Sequence, residues 1–323
     1  MNILITSAGR RVSLVRSFQK EIKKIYPEAK VYASDSNPEL SAACQIADGL
    51  LKVPLLNEPQ YLEELIDFCK SCKIRLIIPT IDTELLLLAQ KKQYFKEHGI
   101  VVVISSEEFV SKCRDKREIH KFFEENNINV AKEYTKENFK LPIFIKPLDG
   151  SRSVDTFIIK SKKDLTEYHY TNEKLMFLEY INPEYYDEFT CDLYYCKANK
   201  LRCVVPRKRL EVRGGEVYKA LTVNNSIVSY IKKNLKHIEG AIGCLTTQFF
   251  VHKNNEDKII GIEVNPRFGG GYPLTYHSGA NYTKWIIEEY LLDKQLSDKF
   301  DSWEQDLLMV RYDDEILVHG YKG

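Results

Sequence analysis

Gln248, Glu263, Asn265 and Arg267 are the residues whose types and spacing speak most directly of chemistry. They lie in Thr247-Gln248-Phe249-Phe250-Val251 and in Ile260-Gly261-Ile262-Glu263-Val264-Asn265-Pro266-Arg267, separated by a polar turn at Asn254-Asn255-Glu256-Asp257. A hairpin centred on that turn sets Gln248 opposite Glu263. Asn265, two residues further, shares the same face. One carboxylate and two amide oxygens then converge, a hard-oxygen set suited to Mg²⁺ with phosphate oxygens filling the remaining positions. Arg267 follows on that face beyond Pro266, where a guanidinium suits a phosphoryl group in transfer. Gly269, Gly270 and Gly271 let backbone approach a ligand closely.

A second stretch is Phe144-Ile145-Lys146-Pro147-Leu148-Asp149-Gly150-Ser151-Arg152-Ser153. Its apolar strand ends in an ammonium, and the polar loop after it can fold over phosphates with backbone N–H groups. Phe177-Leu178-Glu179-Tyr180-Ile181 and Asp187-Glu188-Phe189-Thr190-Cys191-Asp192 read by themselves as strands with exposed acids. The basic run at 206–216 reads as a loop facing the active site, in which Arg207 or Arg209 binds an anionic substrate or phosphate. Thr6-Ser7-Ala8-Gly9-Arg10-Arg11, with Asp35 ending the next strand, holds only Gly9 of a G-x-G-x-x-G, which argues against NAD.

The elements that must position these residues change character along the chain. Residues 2–7, 30–35, 74–79 and 100–105 read as strands, and 12–26, 59–73 and 83–98 have helical spacing. Such alternation implies a doubly wound parallel sheet. From about residue 109 two helices (108–113 and 116–126) precede strands at 143–147, 156–159, 176–179, 188–196 and 201–208. A helix at 226–242, a hairpin at 245–265 and a helix at 281–292 complete an α+β region. The expected fold is therefore α/β followed by α+β, with domains at 1–108 and 109–323.

Composition bounds the function. The 323 residues are 44% hydrophobic and 29% charged with a formal net charge of +1, so bulk electrostatics gives no reason to expect nucleic-acid or membrane-surface binding. The N-terminus lacks a signal-peptide pattern and no apolar run approaches the roughly 20 residues of a membrane span, so a cytoplasmic protein is expected. Cys69 and Cys72 form a C-x-x-C inside a helical pattern without a second pair or a nearby histidine, which reads as structural filler.

The ordered set Lys116, Lys146-Pro147, Glu179-Tyr180-Ile181, Glu188-Phe189-Thr190, Gln248 and Glu263-Val264-Asn265-Pro266-Arg267 resembles the ATP-grasp superfamily. The closest flavour is a stand-alone protein similar to one ATP-grasp half of the carbamoyl phosphate synthetase large chain. Pro79-Thr80-Ile81-Asp82-Thr83-Glu84 looks like part of the α/β domain that precedes the grasp domain. The resemblance implies a Rossmann-like parallel domain and a two-lobed ATP-grasp domain, with lobes at roughly 109–178 and 179–323. It implies that Lys116 and Lys146 contact ATP phosphates beneath the loop containing Ser151, and that Glu179, Tyr180 and Ile181 form the adenine hinge. Glu188 would bind the ribose, and Gln248, Glu263 and Asn265 the Mg²⁺, for which Mn²⁺ is a substitute. Arg267 and Lys146 would act in catalysis. Gly9, Arg10 and Asp82, with Arg207 and Arg209, are the candidate substrate contacts.

The activity so implied is ADP-forming ligation of a small carboxylate to an amine through an acyl phosphate. Alternatives are carbamoyl-phosphate-type phosphorylation of a carboxy group and a non-catalytic nucleotide-binding regulatory module. The implied partners are small molecules and a homo-oligomer, with neither nucleic acid nor membrane.

Overall fold

The computed structural model describes residues 1–150, 154–296 and 299–321. Its first part alternates β1 (Asn2–Ile5), α1 (Val12–Lys23), β2 (Val31–Asp35), α2 (Ala42–Ile46), β3 (Gly49–Lys52), α3 (Tyr61–Ser71), β4 (Ile74–Ile78), α4 (Asp82–Gln90), α5 (Lys92–Glu97) and β5 (Val101–Val102). The five strands form one parallel sheet in the order β3-β2-β1-β4-β5. Alternation along β1 sorts its side chains: Ile3 and Ile5 join one core with Phe18 of α1, and Leu4 joins another with Leu65 of α3 and Leu88 of α4.

The chain continues through α6 (Glu107–Arg114), α7 (Lys116–Glu125), β6 (Asn129–Val130), β7 (Glu133–Tyr134), β8 (Ile143–Pro147), β9 (Phe157–Ile159), α8 (Glu167–Thr171) and β10 (Leu175–Glu179). Then come β11 (Tyr186–Tyr195), β12 (Leu201–Arg213), β13 (Glu216–Thr222), α9 (Ser226–Asn234), β14 (Gly243–His252), β15 (Asn255–Asn265), α10 (Tyr272–His277), α11 (Tyr282–Leu291) and β16 (Leu308–Val310). A four-stranded antiparallel sheet runs β7-β10-β8-β9. A seven-stranded sheet runs β16-β13-β12-β11-β14-β15-β6, antiparallel except at β6.

The seven-stranded sheet holds the polar residues on one face because its sequence alternates. Phe189, Cys191, Leu193, Phe249 and Val251 point into a core with Ile119 and Phe123 of α7 and Ile231 of α9. Each such buried Phe or Ile contributes about 1.5–3 kcal/mol. The other face carries Thr190, Arg207, Gln248 and Glu263 in cross-strand line, since Thr190 pairs with both Arg207 and Gln248, and Gln248 with Glu263.

Four local expectations differ from the structure, the smallest being the strand expected over 100–105, which is shortened to Val101–Val102. The basic run at 206–216 is not a loop: through Arg213 it is the second half of β12, turning into β13 at Gly214 and Gly215, whose φ values are +54° and +77°. The helix expected over 226–242 stops at Asn234, because His237 pairs with Lys200 in a β-bridge and Gly240 takes φ +77°. The helix expected over 83–98 breaks at Lys91, after which Phe95 turns into the core and the Lys92 ammonium reaches the Ile104 carbonyl at 2.7 Å.

Candidate functional site

A cavity of about 450 Å³ lies where the parallel sheet's loops meet the polar face of the seven-stranded sheet. Thr80, Asp82 and Arg11 line it from the first domain, and Lys116, Gly150, Arg207, Arg209, Gln248, Glu263, Asn265 and Arg267 line it from the second. At its centre Glu263 Oε1 accepts from Gln248 Nε2 at 2.7 Å and from Asn265 Nδ2 at 2.9 Å. The three residues named from the hairpin pattern therefore converge. Each amide now turns a nitrogen toward the carboxylate. A cation here requires both amides to rotate, after which one carboxylate and two amide oxygens form a hard-oxygen set that fits Mg²⁺. Gln248 Oε1 is held meanwhile by Arg209 Nη1 at 3.1 Å.

Two lysines approach this group from separate elements. Lys116, the first residue of α7, donates its ammonium to the Gly150 carbonyl and, at 3.5 Å, to that of Leu148. Lys146 projects from β8 and is buried. Burial is the main cause that brings its pKa down to about 8, and the Lys116 charge lowers it further, against the opposing pull of Glu263. Burial also lowers the pKa of Lys116, opposed chiefly by Glu263. His120, one turn along α7 from Lys116, is buried. Its pKa falls to about 4, first by burial and then by the Lys146 and Lys116 charges. His120 was passed over because a lone histidine on an amphipathic helix carries no signal that Lys146 will approach it from another element and join Lys116 of its own helix.

Arginine–carboxylate pairs complete the walls. Arg267 donates two bonds to Asp82, Nε to Oδ1 at 2.9 Å and Nη2 to Oδ2 at 2.6 Å, joining the end of β15 to the start of α4. Arg209 Nη1 bonds Glu188 Oε1. Burial is the largest influence on Glu188 and raises its pKa, with Arg209 opposing. Arg207 is fully buried and donates Nη2 to Asp192 Oδ1 at 2.9 Å. Asp192 also accepts from Thr246 Oγ1 at 3.1 Å and Thr275 Oγ1 at 2.6 Å, so this acid is an internal hub rather than an exposed strand residue.

Other candidates lie away from this cavity. Glu179, Tyr180 and Ile181 connect β10 of the four-stranded sheet to β11 of the seven-stranded one, with the Glu179 N–H on the Lys132 carbonyl at 2.8 Å. Gly9 does not line the cavity. It takes φ +51°, and its N–H donates to Asp35 Oδ2 at 3.1 Å, which turns the loop after β1. Arg10 is largely exposed and reaches Glu216 Oε2 at 3.3 Å. Ser151 lies outside the described residues, as do Arg152 and Ser153. Arg11 was passed over in favour of Arg10, yet it is Arg11 that lines the cavity, its Nη2 on the Thr80 carbonyl at 2.8 Å. Glu84 is buried as a tie, accepting from Ser7 Oγ at 2.7 Å and from the Thr80 N–H at 2.7 Å.

All eight cysteines are free thiols, Cys69 and Cys72 included. No helix among the described residues is long and apolar enough to cross a membrane.

Residues 171–313 match the model of the family described as ATP-grasp in the biosynthetic pathway with Ter operon. Residues 3–103 match that of the PylC-like N-terminal domain. No curated protein matches the chain. Among solved structures it resembles the biotin carboxylase domain of Hydrogenobacter thermophilus 2-oxoglutarate carboxylase, described with MgADP, ADP and bicarbonate. That match has 14% identity and a TM-score of 0.72 over 95% of this chain and 73% of that one. Biotin carboxylase from Campylobacter jejuni gives 15% identity and 0.72 over 95% and 74%. N5-carboxyaminoimidazole synthetase from Staphylococcus aureus, complexed with ADP, gives 15% and 0.67 over 92% and 79%. At such identities the likeness shows the fold alone: a parallel α/β domain followed by a four-stranded and a seven-stranded sheet.

Proposed function

We propose that this chain, which carries an ATP-grasp domain behind a PylC-like N-terminal domain, is an ADP-forming ligase joining a small carboxylate to an amine. The observation that carries the reading is the convergence of Gln248, Asn265 and Glu263 on one spot in a cavity that Arg267 and Lys116 also line. A nucleophilic enzyme needs an activated hydroxyl or thiol. The thiol lining this cavity, Cys113, has its pKa pushed up by burial and so is kept from its nucleophilic thiolate form. The cations and amides around it are the equipment of positioning and charge neutralisation.

The chemistry follows from what a carboxylate lacks. An amine cannot expel oxide from it. When a carboxylate oxygen attacks the γ-phosphorus of ATP, the bond to the bridging oxygen breaks and ADP leaves with that electron pair. The amine then adds to the acyl carbon, phosphate departs, and the ammonium proton passes to solvent. Lys116 from α7 and Lys146 from β8 would hold the phosphate oxygens. Glu263, Gln248 and Asn265 would hold Mg²⁺, which when bound neutralises phosphate charge. Arg267, aimed by Asp82, would face the transferring group. The similar solved structures described with ADP support a nucleotide in this cleft.

The test is ADP release by the purified chain with Mg-ATP across a panel of small acids and amines. ADP and phosphate formed only with the right acid and amine together is the expected result. AMP and pyrophosphate in their place would refute the acyl-phosphate route.

A further inference from the structure

We infer that the end of the cavity remote from Glu263 is a subsite for a second anionic group, carboxylate or phosphate, on the substrate. The inference rests on the ligase reading for what happens at Glu263, but its own observations lie elsewhere. Arg207 has no exposed surface, and among the described residues Nε and Nη1 of its guanidinium have no hydrogen-bond partner. Only Nη2 is engaged, with Asp192. A buried cation with two unmet donors is costly to leave so, and an oxyanion in the fork satisfies it. Glycine lets the guanidinium take this place: a Cβ on Gly271 would stand 1.8 Å from Arg207 Nη1, so Arg207 lies directly against that backbone.

The surroundings point the same way. Arg311, just after β16, bonds the Gly270 carbonyl, and its Nη1 lies 3.5 Å from Glu216 Oε2. Arg10 reaches that same oxygen from the first domain, so one carboxylate serves two guanidiniums. Arg11 lines the cavity, and its hydrogen bond among the described residues is to the Thr80 carbonyl. At this end four guanidiniums, Arg10, Arg11, Arg207 and Arg311, are set against the carboxylates of Asp192, Glu216 and the buried Glu84, leaving positive charge in excess. Burial lowers the pKa of Arg11 to about 10 and Arg267 lowers it further, against the opposing pull of Glu216, Asp82 and Glu84; an added anion would act with those carboxylates. A substrate held by one acidic group here and phosphorylated on another beside Arg267 would use both ends of the cavity.

The experiment reads binding without turnover. Succinate, inorganic phosphate, propionate and succinamide are titrated into the full chain with Mg²⁺ and a non-hydrolysable ATP analogue, by calorimetry and thermal shift. Succinate or phosphate should bind, and propionate and succinamide should bind at least roughly tenfold more weakly. A stronger response to succinate assigns a carboxylate, and a stronger response to phosphate assigns a phosphorylated substrate. Arg11→Gln and Arg311→Gln should each weaken the anion roughly tenfold while leaving analogue affinity unchanged, and Glu216→Gln should tighten it. Arg207→Lys tests the fork itself, and the two rim variants keep the test decisive if that buried change does not fold. Propionate binding as well as succinate, or both rim variants binding like the parent, overturns the inference. Because no step is catalysed in this titration, a failure of ligase activity leaves its result standing. ADP release with flat anion titrations would sink the subsite alone.

Discussion

Arg267 and Asp82 are joined by two parallel hydrogen bonds of 2.9 and 2.6 Å across the boundary between the parallel domain and the seven-stranded sheet. The pair is partly buried, so its geometry is held on both sides. A guanidinium fixed in this way needs little reorganisation when charge develops on a phosphoryl group beside it.

Arg267→Ala should lower kcat by on the order of a hundredfold while nucleotide affinity stays within about tenfold. Asp82→Asn should lower kcat by roughly tenfold by loosening the same guanidinium, and the double variant should be no slower than Arg267→Ala alone. Steady-state kinetics with a working substrate pair completes the cycle. Fully additive losses would mean that Asp82 acts on the substrate by itself rather than through Arg267.

Metal binding should depend on nucleotide. Glu263 supplies the single formal negative charge of the three hairpin residues, and both amides turn N–H groups toward it. Mg²⁺ alone at millimolar concentration should leave the melting temperature unchanged. Mg-ATP at a hundredfold excess over Kd should stabilise by about 2.7 kcal/mol. Glu263→Ala should abolish both that shift and turnover. A Mg²⁺-only shift of the same size as that of Mg-ATP would show a preformed metal site.

The hairpin shows how much of this was legible in the sequence. Gln248 facing Glu263 was read from a turn at 254–257, and the pairing is there. The turn itself closes earlier, since His252 pairs with Asn255, and two register shifts along β15 restore the offset. Irregular pairing of that kind has no sequence signature, because β-bulges answer to packing on both faces. The parallel sheet was readable from the alternation of apolar runs, each element being decided by local pattern. What stayed hidden depends on residues far apart in the chain: Asp192 under Arg207, Lys146 against Lys116, and Asp82 on Arg267. Arg207 was named from its charge, yet its full burial follows only from β12 lying inside the sheet rather than in a loop.

Lys146 should cost stability in the free protein. Its pKa of about 8, set mainly by burial, lies below the ordinary 10.5. Between those values the folded chain binds fewer protons than the unfolded one, so this residue's contribution improves as pH rises from about 8 to 10.5. It is least favourable below 8. Lys146→Met should therefore stabilise the free protein at pH 7 by on the order of 2 kcal/mol and weaken Mg-ATP at least tenfold. Urea melts at pH 7 and pH 10 check the first claim, because the gap between variant and parent should shrink at the higher pH. Equal stability at pH 7 would mean that the buried ammonium is already compensated.

His120 reports on the same two lysines through its own titration. Burial, with Lys146 and Lys116 adding to it, lowers its pKa from 6.5 to about 4. Protons bind the unfolded chain first as pH falls, so the stability that His120 lends is fully present above pH 6.5. It is lost as pH drops from 6.5 through 4. That gap corresponds to about 3 kcal/mol. The difference in unfolding free energy between the parent and His120→Gln should change by roughly this amount between pH 7 and pH 4, which denaturant melts can read. Mg-ATP offers a second readout, since phosphate oxygens on the two lysines cancel the charge that disfavours imidazolium. The His120 resonances should then titrate at higher pH in the Mg-ATP complex than in the free protein. A His120 pKa near 6.5 in the free protein would show that the imidazole is not confined between those charges. An unchanged value on saturation with Mg-ATP would place the phosphates away from Lys116 and Lys146, and the roles proposed for both lysines would fall with it.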